Sequence, residues 1–150
     1  LKEIQMRYHE FINRVQEEAE FGSKEEAVQA TEAALTTLGE RLYRTDRDDL
    51  AAQLPKQLKE YLHKTSDAGS TRQDAQHFSL EAFYNRVGAR SGVRYSPAVK
   101  EAQAVMAILE EAISPGMLKA VLSSLPDEFA ELFGQKPDRP ASPSAVWRPN

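Results

Sequence analysis

The chain has 150 residues, 41% of them apolar and 28% charged, with a formal net charge of −4 and no cysteine. That is an ordinary globular composition, long enough to bury a sizeable core. It excludes disulfides, thiolate metal sites and cysteine nucleophiles, and the surplus of acid argues against a whole-molecule phosphate binder.

The first predicted helix runs from about Ile4 to Glu20, because Ile4, Tyr8, Phe11, Ile12, Val15 and Ala19 form one stripe at helical spacing. Phe21-Gly22 breaks it. Ser23 followed by Glu26 reads as a capping box for a second helix carrying Ala27, Thr31, Ala34, Leu35, Leu38 and Leu42. Thr45 with Asp48 predicts another cap and a short third helix. Leu54-Pro55 ends that helix, since the residue before proline is pushed out of the helical region. Pro55 is then expected as the first residue of a fourth helix with Leu58, Tyr61 and Leu62.

Residues 64–78 hold few core formers and read as a linker. Ser79 caps a fifth helix with Leu80, Phe83, Tyr84 and Val87 inward, and Gly92 turns the chain. Ser96-Pro97 predicts the start of a sixth helix with Ala98, Ala102, Val105, Met106, Leu109 and Ile113. Ser114-Pro115 opens a seventh with Met117, Leu118, Val121 and Leu122. Leu125-Pro126 precedes an eighth carrying Phe129, Leu132 and Phe133. From Gly134 onward four prolines and several serines mark a tail, residues 135–150, with Val146-Trp147 as its one sticky spot. No segment alternates as a strand does, so the fold class is all-α.

The halves repeat. Phe11-Ile12-Asn13-Arg14-Val15 returns as Phe83-Tyr84-Asn85-Arg86-Val87, and Leu54-Pro55 returns as Leu125-Pro126. The offset is 72 in the first helix of each copy and 71 from the second helix onward. The expected architecture is one helical domain over residues 1–134, with repeat one at about 4–63 and repeat two at about 79–133. Four helices per copy pack with pseudo-two-fold symmetry around a shared core.

Phe-x-x-Arg-Val, Leu38-Gly39-x-Arg41-Leu42, Asp49-Leu50-Ala51-Ala52-Gln53-Leu54-Pro55 and the closing Leu125-Pro126-x-x-Phe129-x-x-Leu132-Phe133 resemble the bacterial domain-of-unknown-function family numbered 2267. The resemblance covers about residues 5–134. It implies an all-helical fold in a bacterial cytoplasmic protein and carries no catalytic residues with it.

Chemistry is sparse. His9, His63 and His77 lack the spacing that places ligands on one helix face. Asp46-Arg47-Asp48-Asp49 lacks the glycine and terminal glutamate of a calcium loop and suits a helix start instead. There is no Gly-x-Ser-x-Gly elbow or phosphate loop. Neither a metal nor a cofactor is expected, and the enzyme reading ranks last. No apolar run approaches the ~20 residues of a membrane span. Leu1-Lys2-Glu3-Ile4 has no signal-peptide core, so the cytoplasm is the expected location.

Polar identities shared by both copies are Asn13/Asn85, Arg14/Arg86, Glu40/Glu111 and Glu60/Glu131. The preferred reading is a structural ion pair in each half, the arginine of its first helix meeting a glutamate of its second or fourth. The competing one makes Arg14 and Arg86 a recognition patch. Arg86, Arg90 and Arg94, flanked by Tyr84 and Tyr95, suit nucleic acid, although Gly92 interrupts the row. Trp147 in the tail is a candidate docking anchor. The leading expectation is a protein-interaction or scaffolding module, with a nucleic-acid-associated regulator second; a second copy of the chain is a further candidate partner.

Overall fold

The computed structural model describes residues 6–64 and 77–134. Ile4, most of the linker, and the tail with Val146 and Trp147 lie outside the described residues. The described residues are all-helical: α1 (Tyr8–Ala19), α2 (Lys24–Arg41), α3 (Arg44–Ala51), α4 (Lys56–Leu62), α5 (Leu80–Ser91), α6 (Tyr95–Ala112), α7 (Pro115–Ser123) and a closing 3-10 helix (Asp127–Phe133). Among them there is no strand.

The two long helices, α2 and α6, pack on each other at the centre. Around them α1 lies on α2 and α6, α5 lies on α6 and α2, α4 lies on α2, and the 3-10 helix lies on α6. The short α3 and α7 meet each other. The predicted stripes form one buried cluster, in which Phe11, Val15, Leu35, Leu38, Phe83, Val87, Val105, Leu109 and Phe129 have no exposed surface. Alanines at 27, 30, 33, 34, 98 and 102 are buried with them and let α2 and α6 approach their neighbours closely.

Capping chemistry fixes most starts. Ser23 Oγ accepts from the Glu26 N–H at 3.2 Å, Ser79 from Ala82 at 3.1 Å and Ser114 from Met117 at 3.1 Å. Glu26 reaches back to the Gly22 N–H, 3.0 Å, one residue before the expected partner.

Five expectations are corrected. The helix α1 begins at Tyr8 rather than near Ile4, with Arg7 extended and its N–H donated to Glu10 Oε1 at 2.9 Å. Thr45 is not a cap. Leu42 and Tyr43 are the extended residues, so α3 starts at Arg44, and the Tyr43 carbonyl accepts from the Arg47 N–H at 2.9 Å. Pro55 is the residue before α4, where its carbonyl accepts from Lys59 at 3.0 Å. The sixth helix begins at Tyr95, which puts Pro97 at the third position, where a missing N–H breaks no helical bond. The last element winds as a 3-10 helix.

Gly39 marks a close approach in the first half. A Cβ there would stand 2.0 Å from the Leu62 carbonyl oxygen, so α4 lies with its backbone against α2. Thr36 Oγ1 donates to the Tyr61 carbonyl at 3.1 Å along the same seam. At the corresponding place in the second half stands Glu110, which carries a side chain where Gly39 has none.

Candidate functional site

Arg14, Arg86 and the glutamates at 40 and 111 form two junctions, and each joins helices from different halves of the chain. Arg14 on α1 grips Glu111 on α6 with both arms, Nε to Oε1 at 3.2 Å and Nη2 to Oε2 at 2.7 Å. Arg86 on α5 donates to Glu40 Oε1 on α2 at 3.0 Å, and Arg90 adds Nη1 to Oε1 at 2.9 Å and Nη2 to Oε2 at 2.7 Å. The expectation of one ion pair inside each half is therefore corrected in its partners. Each arginine crosses to the other repeat, because α1 packs on α6 and α5 on α2. Planar, two-pronged contacts of this kind fix the crossing of the helices that carry them.

The junctions differ in depth. The Glu40 side chain is 7% exposed, against 45% for Glu111. Burial alone would push the Glu40 carboxyl up, but Arg90 and Arg86 overcome it and hold the group below the usual carboxylate range. Arg90 Nη1 also reaches Thr37 Oγ1 at 2.8 Å, and the Arg86 guanidinium stacks 3.8 Å from the Phe78 ring centroid. Beside them Arg41 is buried between the Phe129 and Phe78 rings, 5.1 and 5.9 Å from their centroids, with Nε donating to the Phe78 carbonyl at 3.0 Å. Desolvation lowers its affinity for a proton.

A third polar group surrounds Tyr84. Its hydroxyl donates to Glu131 Oε2 at 3.1 Å and accepts from Gln103 Nε2 at 3.0 Å, while its ring meets Tyr95 edge-on at 5.9 Å. Burial raises the Tyr84 phenol well above its ordinary value. Tyr95 itself is 43% exposed.

Among the described residues, clefts open at two places that matter here. One, of about 350 Å³, is lined by Gln29, Glu32, Ala33, Thr36, Lys64 and Arg90. The other, of about 320 Å³, is lined by Glu18, Ser96, Val99, Lys100, Gln103 and Ala104. By the repeat offsets, Gln29, Glu32, Ala33 and Arg90 of the first correspond to Lys100, Gln103, Ala104 and Glu18 of the second. Lys64 and Glu32 are ion-paired beside the first cleft.

Of the residues singled out from sequence, Arg86 and Arg90 meet at Glu40, and Tyr84 meets Tyr95. Arg14 stands apart at Glu111. Arg94 is exposed and precedes α6, cut off from the other two by Gly92 in a left-handed conformation. Trp147 lies outside the described residues. Sequence reasoning did not single out the buried Arg41, Glu101 and Gly39 as site residues. A glycine inside a helical stripe was the available sign for Gly39, and an acid standing where the other repeat has alanine was the sign for Glu101.

Such a site defines an all-helical protein whose polar side chains are spent on locking helices, with no three His, Asp or Glu side chains grouped for a metal among the described residues. No described helix is long and apolar enough to cross a membrane. The chain belongs to the family described as "Uncharacterized conserved protein (DUF2267)", whose model matches residues 8–132. No curated protein matches it.

Proposed function

We propose that the chain is a non-catalytic helical interaction module, a duplicated scaffold whose repeats are related by a pseudo-two-fold axis. The observation that carries the reading is the engagement of Arg14, Arg86 and Arg90 by Glu111 and Glu40. The cations that a phosphate ligand would use serve helix packing, while the cleft of Glu18, Val99 and Lys100 remains open. Tyr95, 43% exposed, lies on the same face of α6 as the cleft residue Val99, four residues on, and offers an aromatic anchor on that face. Glu18 and Lys100 suit a protein segment with an apolar side chain flanked by one base and one acid. The bacterial cytoplasm is the proposed setting, supported by the family resemblance and the absence of cysteine.

The test is capture of partners by the full chain, by Tyr95→Ala, by Lys100→Glu and by a chain lacking residues 135–150, each with and without nuclease. The reading expects a nuclease-resistant partner that both point variants lose. Loss of every partner on nuclease treatment overturns it in favour of nucleic acid, for which Arg94 and Tyr95 remain exposed.

A further inference from the structure

Glu101 sits in the second turn of α6 and is 9% exposed. Its Oε1 lies 3.1 Å from Ser91 Oγ, and the same hydroxyl lies 2.9 Å from the Val87 carbonyl oxygen. A serine carries one hydroxyl proton, so it serves one of these acceptors and not both. If Glu101 carries a proton, the arrangement completes itself: the carboxyl donates to Ser91 Oγ, and Ser91 donates to Val87.

No cation offsets an ionised Glu101. Among the described residues no lysine, arginine or histidine pairs with it. The arginines of the neighbouring α5 and α1 are engaged elsewhere, Arg86 and Arg90 by Glu40 and Arg14 by Glu111. The charge that does bear on it is Glu26 of α2, which is of like sign. On the 3-10 helix Glu131 is engaged with Tyr84 and Gln103. Burial first, and Glu26 after it, push the carboxyl above the ordinary value of 4.5, against a smaller opposing effect of the Ser91 bond.

The fold does not require this pair. By the repeat offsets Ser91 corresponds to Ala19 and Glu101 to Ala30, both buried, so the first repeat closes the same junction with two methyl groups. We propose that Ser91 and Glu101 form a proton-linked joint at the α5–α6 corner: with the acid protonated both hydrogen bonds form at once, and on ionisation Ser91 turns to the carboxylate and gives up the Val87 carbonyl.

A folded-state proton affinity raised above the unfolded one gives stability that is complete below about pH 4.5 and is lost as pH rises through the folded midpoint. The experiment is denaturant unfolding of the full chain and of Glu101→Gln from pH 4 to 8, with ¹³C NMR titration of the Glu101 carboxyl in the wild type. The glutamine amide donates to Ser91 as the protonated acid does. The ratio of folding constants, variant over wild type, is expected to climb by up to about tenfold per pH unit from about 4.5 until the midpoint is passed. The Glu101 resonance is expected to titrate above the other glutamates. Parallel stability curves, or a Glu101 midpoint among those of the exposed glutamates, overturn the proposal. The NMR arm decides alone if the variant does not fold.

Discussion

Glu40 and Glu111 occupy corresponding places in the two repeats, and each receives an arginine from the opposite repeat. The Glu40 side chain is 7% exposed and held by two arginines; that of Glu111 is 45% exposed and held by one. The residue that makes the difference is Arg90, whose counterpart is Glu18. Matching residues in the sequence are therefore set in two different surroundings. The α2–α5 junction is a doubly clamped joint around a shielded carboxylate, and the α1–α6 junction is a more open, singly clamped one.

The sharpest break of the comparison comes at Gly39, where the first repeat lets α4 lie on α2 and the second has Glu110. Gly→Ala inside a helix normally stabilises by up to ~1 kcal/mol. At Gly39 the new methyl would meet the Leu62 carbonyl at 2.0 Å, and backbone cannot swing aside as a flexible side chain does. Gly39→Ala is expected to cost about 3 kcal/mol, read as a fall in the denaturant midpoint. A neutral result would mean that α4 does not rest on α2 as closely as described.

Next is the clamp. Glu40→Ala leaves Arg86 and Arg90 facing each other, but both side chains are about one-third exposed and can rehydrate. The expected loss is therefore about 2 kcal/mol, below the cost of orphaning fully buried charges. Arg14→Ala at the more open junction is expected to cost less than about 1 kcal/mol. Acid sharpens the contrast. Because the folded state holds the Glu40 carboxyl below 4.5, its contribution is present above that pH and is lost as pH falls through the folded value. Glu40→Gln should flatten the limb below pH 4.5, whereas Glu101→Gln flattens the fall that begins above it. Equal losses for Glu40→Ala and Arg14→Ala would erase the distinction between the joints.

Much of this was legible beforehand. The apolar stripes at helical spacing gave the core residues Phe11, Leu35, Phe83 and Val105, and serine caps marked the starts of α2, α5 and α7. What spacing cannot carry is which repeat a side chain reaches. Arg14 and Glu40 lie in one repeat and Arg14 and Glu111 do not, yet periodicity treats the two pairings alike. Helix starts failed where the determinant was tertiary. Leu42 is anchored in the core, so the chain turns within two extended residues, and Thr45 is left inside α3. Glu101 escaped notice because an acid between apolar residues is usually solvated, and its burial depends on α5 closing over it.

A smaller contrast lies at the ends of the first helices. Gly92 closes α5 with φ of 76°, at no steric cost, while its counterpart Glu20 closes α1 with φ of 59°. An L-residue in that region is strained by ~1–2 kcal/mol, and glycine adds some entropy to the unfolded chain. Glu20→Gly is expected to stabilise by about 0.5–1 kcal/mol. Destabilisation would indicate that the Glu20 side chain makes a contact worth more than the strain.

The finest test rebuilds the missing arm. Glu18 stands four residues after Arg14, as Arg90 stands four after Arg86, so its side chain lies on the same face of the helix. Glu18→Arg would place a second guanidinium beside Glu111 and remove an acid from α1, where Glu17 already bonds Arg14 at 3.1 Å. Glu111 is half-exposed, so water competes for the new contact and the gain is expected to be only about 0.5 kcal/mol. A double-mutant cycle with Glu111→Ala isolates it from the change in net charge. Coupling near zero would mean that α1 and α6 do not present these residues as α5 and α2 present theirs, and that the likeness of the two junctions ends at Arg14 and Arg86.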